Sequence, residues 1–170
     1  MLPMGHRGMA PLLATGLLAL ATTACVTRTT SAPDGARGSP VTPALIVERF
    51  LNAANSVAQL SAAGGSSDRV VRELETMGRL FGTREGPILE RDPRADVERR
   101  MYLIANVLRH DDYTLAGERP VPGRTGAAIE VVVRLTMGER QVDVPFTLVR
   151  TGGDAWLVEQ IDLQRITARP

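Results

Sequence analysis

The apolar side chains change their period once, at Asp111-Asp112, and that change constrains the fold more than any other feature of the sequence. Upstream they recur every three to four residues, as on one face of a helix; downstream they alternate, as on one face of a strand. Ile46, Phe50, Ala53 or Ala54, and Val57 predict a helix over about 43–58, with Thr42 as its cap and Pro43 in the first turn, where a missing N–H costs nothing. The small residues Ser61 to Ser67 interrupt it. Ser67 is expected to cap a second helix bearing Val70, Leu74, Met77 and Phe81, stopped by Gly82 and the segment Thr83-Arg-Glu-Gly-Pro87. Asp92-Pro93 repeats the cap-plus-proline start for a third helix, with Val97, Met101, Ile104, Ala105 and Leu108 along one face.

Beyond the switch, Tyr113 and Leu115 predict a short strand, and Pro120 to Gly126 a turn region. Ile129, Val131, Val133, Leu135 and Met137 alternate with Glu130, Val132, Arg134 and Thr136, the signature of a half-buried strand. After a turn at Gly138-Glu139, Val142, Val144, Phe146 and Leu148 form a second apolar row opposite Gln141, Asp143 and Thr147. Thr151-Gly-Gly-Asp154 reads as a hairpin turn in which the glycines take positive φ. Trp156 and Val158 open the last strand, which Ile161, Leu163 and Ile166 continue after a phase slip that a bulge near Gln160 would absorb. The expected class is α+β: three N-terminal helices covering one face of a curved, mainly antiparallel sheet of three or four strands. Residues 41–170 suit one such domain.

The first forty residues have a different character. Arg7 is followed by an uncharged apolar run, Pro11 to Ala24, that is shorter than the roughly 20 residues a membrane-spanning helix needs. That is the order of a secretory signal. It ends at Cys25, the only cysteine, which has no partner within the chain for a disulfide. Leu20-Ala-Thr-Thr-Ala-Cys25 resembles a bacterial lipoprotein signal, with Thr22 standing where leucine is usual. The resemblance implies a signal peptide at 1–24, lipid on Cys25, and a membrane partner reached through that anchor. Val26 after the cysteine resembles the lipoproteins of an outer membrane facing the periplasm. Residues 25–40, rich in Thr, Ser, Ala, Gly and Pro, then read as the lipidated cysteine and a flexible tether. Loss of the leader removes Arg7 and no acid, leaving nineteen arginines, no lysine, and nineteen acidic residues. So balanced a chain lacks the basic face of a nucleic-acid binder.

The order of elements resembles the nuclear-transport-factor-2-like superfamily: an opening helix Pro43 to Val57, a helix Pro93 to Leu108 leading into Asp112-Tyr-Thr-Leu115, a long hairpin Ile129 to Leu148, and a closing Gly153-Asp-Ala-Trp-Leu-Val158 strand. The resemblance implies a cone-shaped cavity inside a curved sheet, in a family that contains isomerases and cyclases beside proteins that only bind or assemble. His110, Asp111, Asp112 and Tyr113, with Arg100 and Tyr102 nearby, are the densest polar and aromatic grouping. As an acid–base site, Asp112 would abstract a proton, His110 relay it, and Tyr113 donate to an oxyanion. As structure, His110 complements a helix C-terminus and Tyr113 packs at the core edge. The second account carries more weight.

Other chemistry has less footing. Asp92, Asp96 and Glu98 read as the negatively charged first turn of a helix rather than a metal cage, and no cofactor motif occurs. Gly82 to Pro87 lacks both phosphate-loop patterns and reads as a turn or pocket rim at which Arg84 would meet an anion. No Gly-x-Ser-x-Gly elbow is present. On the sheet, Glu130, Arg134, Asp143 and Arg150 are expected to pair across strands, with Val132, Thr136, Thr147 and Val149 between them as a surface for a homodimer or an envelope protein. The expected function is a lipid-anchored, extracytoplasmic binding or assembly domain, with a small apolar ligand in the cone. The alternative is an isomerase- or cyclase-like enzyme.

Overall fold

The computed structural model describes residues 41–124 and 128–168. The expected leader, Cys25 and the tether lie outside the described residues. Helix α1 (Pro43–Ala62) begins as its sequence directs: the Leu45 N–H donates to Thr42 Oγ1 at 3.3 Å, and proline occupies the first turn. It runs one turn further than the apolar pattern, and Ala63, Gly64 and Gly65 donate their N–H groups to its last carbonyls at 3.0, 3.4 and 2.8 Å. Helix α2 (Ser67–Leu80) is capped by Ser66, one residue before the expected Ser67. Helix α3 (Arg94–Val107) starts a residue later than expected, with Pro93 at the cap. Asp92 therefore stands outside the helix, and its carboxylate pairs with Arg100 at 3.2 Å.

Between α2 and α3 the chain forms a minimal hairpin, β1 (Gly82–Thr83) and β2 (Gly86–Pro87), then a single 3₁₀ turn at Ile88–Glu90. Strand pairing brings Gly82 so close to Pro87 that a Cβ at Gly82 would meet the Pro87 Cα at 2.9 Å and collide with the Gly86 carbonyl, so only glycine fits.

The main sheet has four strands in sequential antiparallel order: β3 (Asp112–Pro120), β4 (Ala128–Met137), β5 (Arg140–Arg150) and β6 (Trp156–Ile161). Strand β3 has nine residues where a short strand was expected; it is an edge, and solvent on its open side hides the apolar alternation that marks β4 and β5. Gly138 at φ +61° opens the two-residue β4–β5 turn, the glycine-first geometry whose twist suits a hairpin. In the β5–β6 turn the left-handed residue is Asp154, at φ 66°, and not a glycine. Aspartate tolerates that conformation, and its N–H donates to the Thr151 carbonyl at 3.1 Å.

Thr147 pairs with Gln160 but Leu148 with Val158, so Glu159 is an extra residue on β6, a bulge beside Gln160 as the phase slip requires. Leu163 and Ile166 do not continue that strand. Asp162 donates to the Pro145 carbonyl at 3.0 Å, Leu163 becomes the cap of a one-turn helix α4 (Gln164–Thr167), and both apolar side chains still pack against the core.

The core lies between the helices and one face of the sheet. Val47, Phe50, Leu51 and Val57 of α1, Met77 of α2, and Val97, Met101 and Leu108 around α3 are fully buried against Val131, Val133, Leu135, Val144, Phe146 and Leu148. The middle of the expected cone is thus filled by side chains, with Phe50 meeting Phe146 edge-on at 6.4 Å. Phe146→Ala should cost about 3–5 kcal/mol in urea unfolding, the usual loss for a buried phenylalanine. Leu103→Ala, at a site 61% exposed on α3, should stay within about 0.5 kcal/mol.

Candidate functional site

The polar grouping around His110 sits where α3 hands over to β3. His110 is buried, and its Nδ1 lies 2.8 Å from the Leu108 carbonyl. A carbonyl can only accept, so Nδ1 carries the proton and the imidazole ties down the end of α3. Its ring meets that of Tyr113 edge-on at 5.5 Å. Asp111 accepts from the Gly138 N–H at 2.6 Å, clamping the α3–β3 junction to the β4–β5 turn. Asp112 pairs in register with Thr136 and Tyr113 with Leu135; successive strand residues point to opposite faces, so the Asp112 carboxylate leaves the side on which Tyr113 and His110 meet. Asp112 is exposed. Arg100 is engaged with Asp92, and Tyr102 is 41% exposed on α3. The structure joins His110 to Tyr113 and separates both from Asp112.

A cleft of about 830 Å³ opens at the opposite end of the sheet, beside the β5–β6 turn and not beside the end of α3. Five segments build it. The start of α1 supplies Val41, Ile46 and Arg49; the end of α2 supplies Arg79 and Leu80; the β1–β2 hairpin supplies Arg84 to Pro87. The end of β5 with the turn Thr151 to Ala155, and the start of β6 with Trp156 and Leu157, complete it. Arg150 shares the inward side of β5 with Phe146 and Leu148, and so faces this cleft instead of the outer face expected for it. It stacks over Trp156, 5.7 Å from the ring centre, and pairs with Asp154 at 3.3 Å.

The lining carries four arginines and two carboxylates. Glu85 is drawn toward Arg91 at 2.7 Å, Asp154 toward Arg150, and Arg79 toward Glu75 at 3.1 Å. Arg49 is exposed and has no ion-pair partner among the described residues. A second depression of about 360 Å³, between α1 and α2, borders the cleft across Arg49, Arg79 and Leu80. The hairpin was legible as a rim, and Arg84 lies on it. The remaining lining residues come from positions up to 116 residues apart (Val41 to Leu157), and no local pattern in the sequence joins them.

Several charges elsewhere are paired. Asp96 meets Arg99 at 3.3 Å and Glu98 meets Arg94 at 2.7 Å. Glu130 accepts from Arg119 on β3 at 2.7 Å. On the outer face Arg134 and Asp143 form a two-bond pair, at 2.7 and 3.0 Å, and the guanidinium hydrogen bond holds the Asp143 carboxyl below the ordinary range. Comparison with protein-family models, curated proteins and solved structures finds no match.

Tyr113 gives the structural grouping a pH signature. Burial pushes its hydroxyl above the ordinary tyrosine range, the Glu48 carboxylate adds to the push, and a hydrogen bond with Asn52 opposes it. A proton held more tightly in the folded state contributes stability that is complete below the unfolded-chain value and is lost as pH rises through the folded one. Glu48→Gln should lower the Tyr113 midpoint, read from its ring Cζ chemical shift, while burial keeps it above the ordinary range.

Proposed function

We propose that this chain is a lipid-anchored, extracytoplasmic binding domain, held at a bilayer of the bacterial envelope by acyl chains on Cys25, with its ligand in the cleft at the β5–β6 end. The observation that carries the reading is the make-up of that cleft. Its volume, about 830 Å³, falls within the span of roughly 300–1,000 Å³ usual for small-molecule sites, and its walls include Val41, Ile46, Leu80, Pro87, Trp156 and Leu157.

Binding without chemistry is the better account of such a lining. Among the described residues its lining holds no histidine, cysteine or tyrosine, and each of its two carboxylates is paired with an arginine. The isomerase or cyclase alternative needs Asp112 beside His110, whereas the His110 ring meets Tyr113, from which Asp112 alternates to the other face of the strand. Assembly through the outer sheet face has less support than the cleft: the Arg134–Asp143 pair occupies that face, and Val149 is already buried.

Two measurements test the reading. Radiolabelled palmitate should enter the wild-type protein and not Cys25→Ser, and the variant should leave the membrane fraction; an unmodified thiol at Cys25 in the mature wild-type protein overturns the anchor. The purified domain should bind 1-anilinonaphthalene-8-sulfonate saturably at one site. Leu80→Glu, which places a carboxylate on the apolar wall, should weaken that binding by about tenfold, or 1.4 kcal/mol.

A further inference from the structure

We infer that the cleft takes a single-chain amphiphile with an anionic head, a carboxylate or a phosphate, drawn from the membrane to which the domain is tethered; this rests on the binding reading above. The head group follows from the charge balance. With Glu85 engaged by Arg91 and Asp154 by Arg150, Arg49 is left facing the cleft with no acidic partner among the described residues. A guanidinium presents two parallel donors that match a carboxylate or a phosphate. The Arg150 guanidinium lies over the Trp156 ring, 5.7 Å from its centre, and is paired through Nε with Asp154, so its terminal nitrogens bring a second cationic group to the same wall.

The apolar body follows from the walls. Ile46, Leu80, Trp156 and Leu157 offer nothing to a fully polar anion, and burying an alkyl chain against them is worth about 0.8 kcal/mol per methylene. The depression between α1 and α2 borders the cleft across Arg49, Arg79 and Leu80, so an alkyl chain held in the cleft has a second hollow adjoining it.

The source follows from where the tether joins. Val41, which begins the described domain and is 44% exposed, is itself on the cleft wall. It stands sixteen residues after Cys25, so at about 3.3 Å per extended residue the mouth stays within roughly 50 Å of the anchored end. A lipidated Cys25 therefore confines this opening to the layer of water next to the bilayer, where single-chain amphiphiles enter and leave.

Trp156 is the only tryptophan and lines the cleft, so its emission reports occupancy directly. The probe is 9,10-dibromostearate, whose bromines quench indole on contact. Saturable quenching is expected, with Kd raised about tenfold by Arg49→Gln and by methylation of the probe's carboxylate. Arg49→Gln carries the comparison because it leaves the Arg150–Trp156 stack in place; circular dichroism confirms that the variant is folded. Displacement by oleate alone assigns a carboxylate head, and displacement by oleoyl lysophosphatidate as well assigns either anion; both support the inference. Equal affinity for the acid and its methyl ester overturns the anionic head. No saturable quenching overturns the amphiphile altogether, and 1-anilinonaphthalene-8-sulfonate then separates the two failures: if it still binds, the cleft is a binding site for another class, and if it does not, the binding reading falls too.

Discussion

The packing of α1 against the sheet is the interaction on which the rest of the domain depends. Its inward stripe, Val47, Phe50, Leu51, Ala54 and Val57, is wholly buried, and Phe50 meets both Phe146 on β5 and Phe81 at the end of α2. One aromatic ring thus fixes the spacing of helix, sheet and hairpin at once. Phe81 in turn bridges to Val158 in parallel, which sets the β1–β2 hairpin beside β6. An isolated helix of this length is marginal in water, so α1 gains its stability from burial, and the sheet gains its covered face from α1.

What could be read from the residues depended on how completely one face was buried. The stripes of α1 and α3 and the rows of β4 and β5 are legible because each alternates between core and water, and the β6 bulge shows as a slip in such a row. Strand β3 was legible only in its first residues. From Thr114 to Pro120 its side chains are exposed, so selection for a hydrophobic row is absent there even though the backbone pairs with β4 on both sides of a bulge at Ala116. At α3 the cap moved by one residue, from Asp92 to Pro93, and the Asp92 carboxylate pairs with Arg100 outside the helix. Leu163 and Ile166 stand three apart, a helical and not a strand spacing, and both reach the core from the α4 turn.

Charge does little to choose the fold and much to define its surfaces. Most arginines meet a carboxylate at the surface, in exposed pairs worth about 0–1 kcal/mol each, too little to direct folding. Their effect is to cancel the field over most of the molecule. Within that setting the partly apolar cleft gathers four arginines and two carboxylates, and Arg49 on its wall has no ion-pair partner among the described residues. Net charge near zero excludes a globally basic protein, yet it leaves room for a local site of this kind.

The densest polar grouping in the sequence and the cleft of about 830 Å³ lie at opposite ends of the sheet, for a physical reason. At the α3–β3 junction three elements converge within a few residues, and every backbone group turned inward needs a partner. His110 serves the Leu108 carbonyl and Asp111 serves the Gly138 N–H, so those residues are there to close that end. At the other end β5 and β6 run past the start of α1, and among the described residues no helix covers the inward side of Arg150 and Trp156. Clustered polar residues in a short stretch are therefore a sign of closure in this fold. The open end shows itself only when distant arginines and apolar residues are brought together by the chain, and on the proposed reading that is also the end from which the tether leads to the membrane.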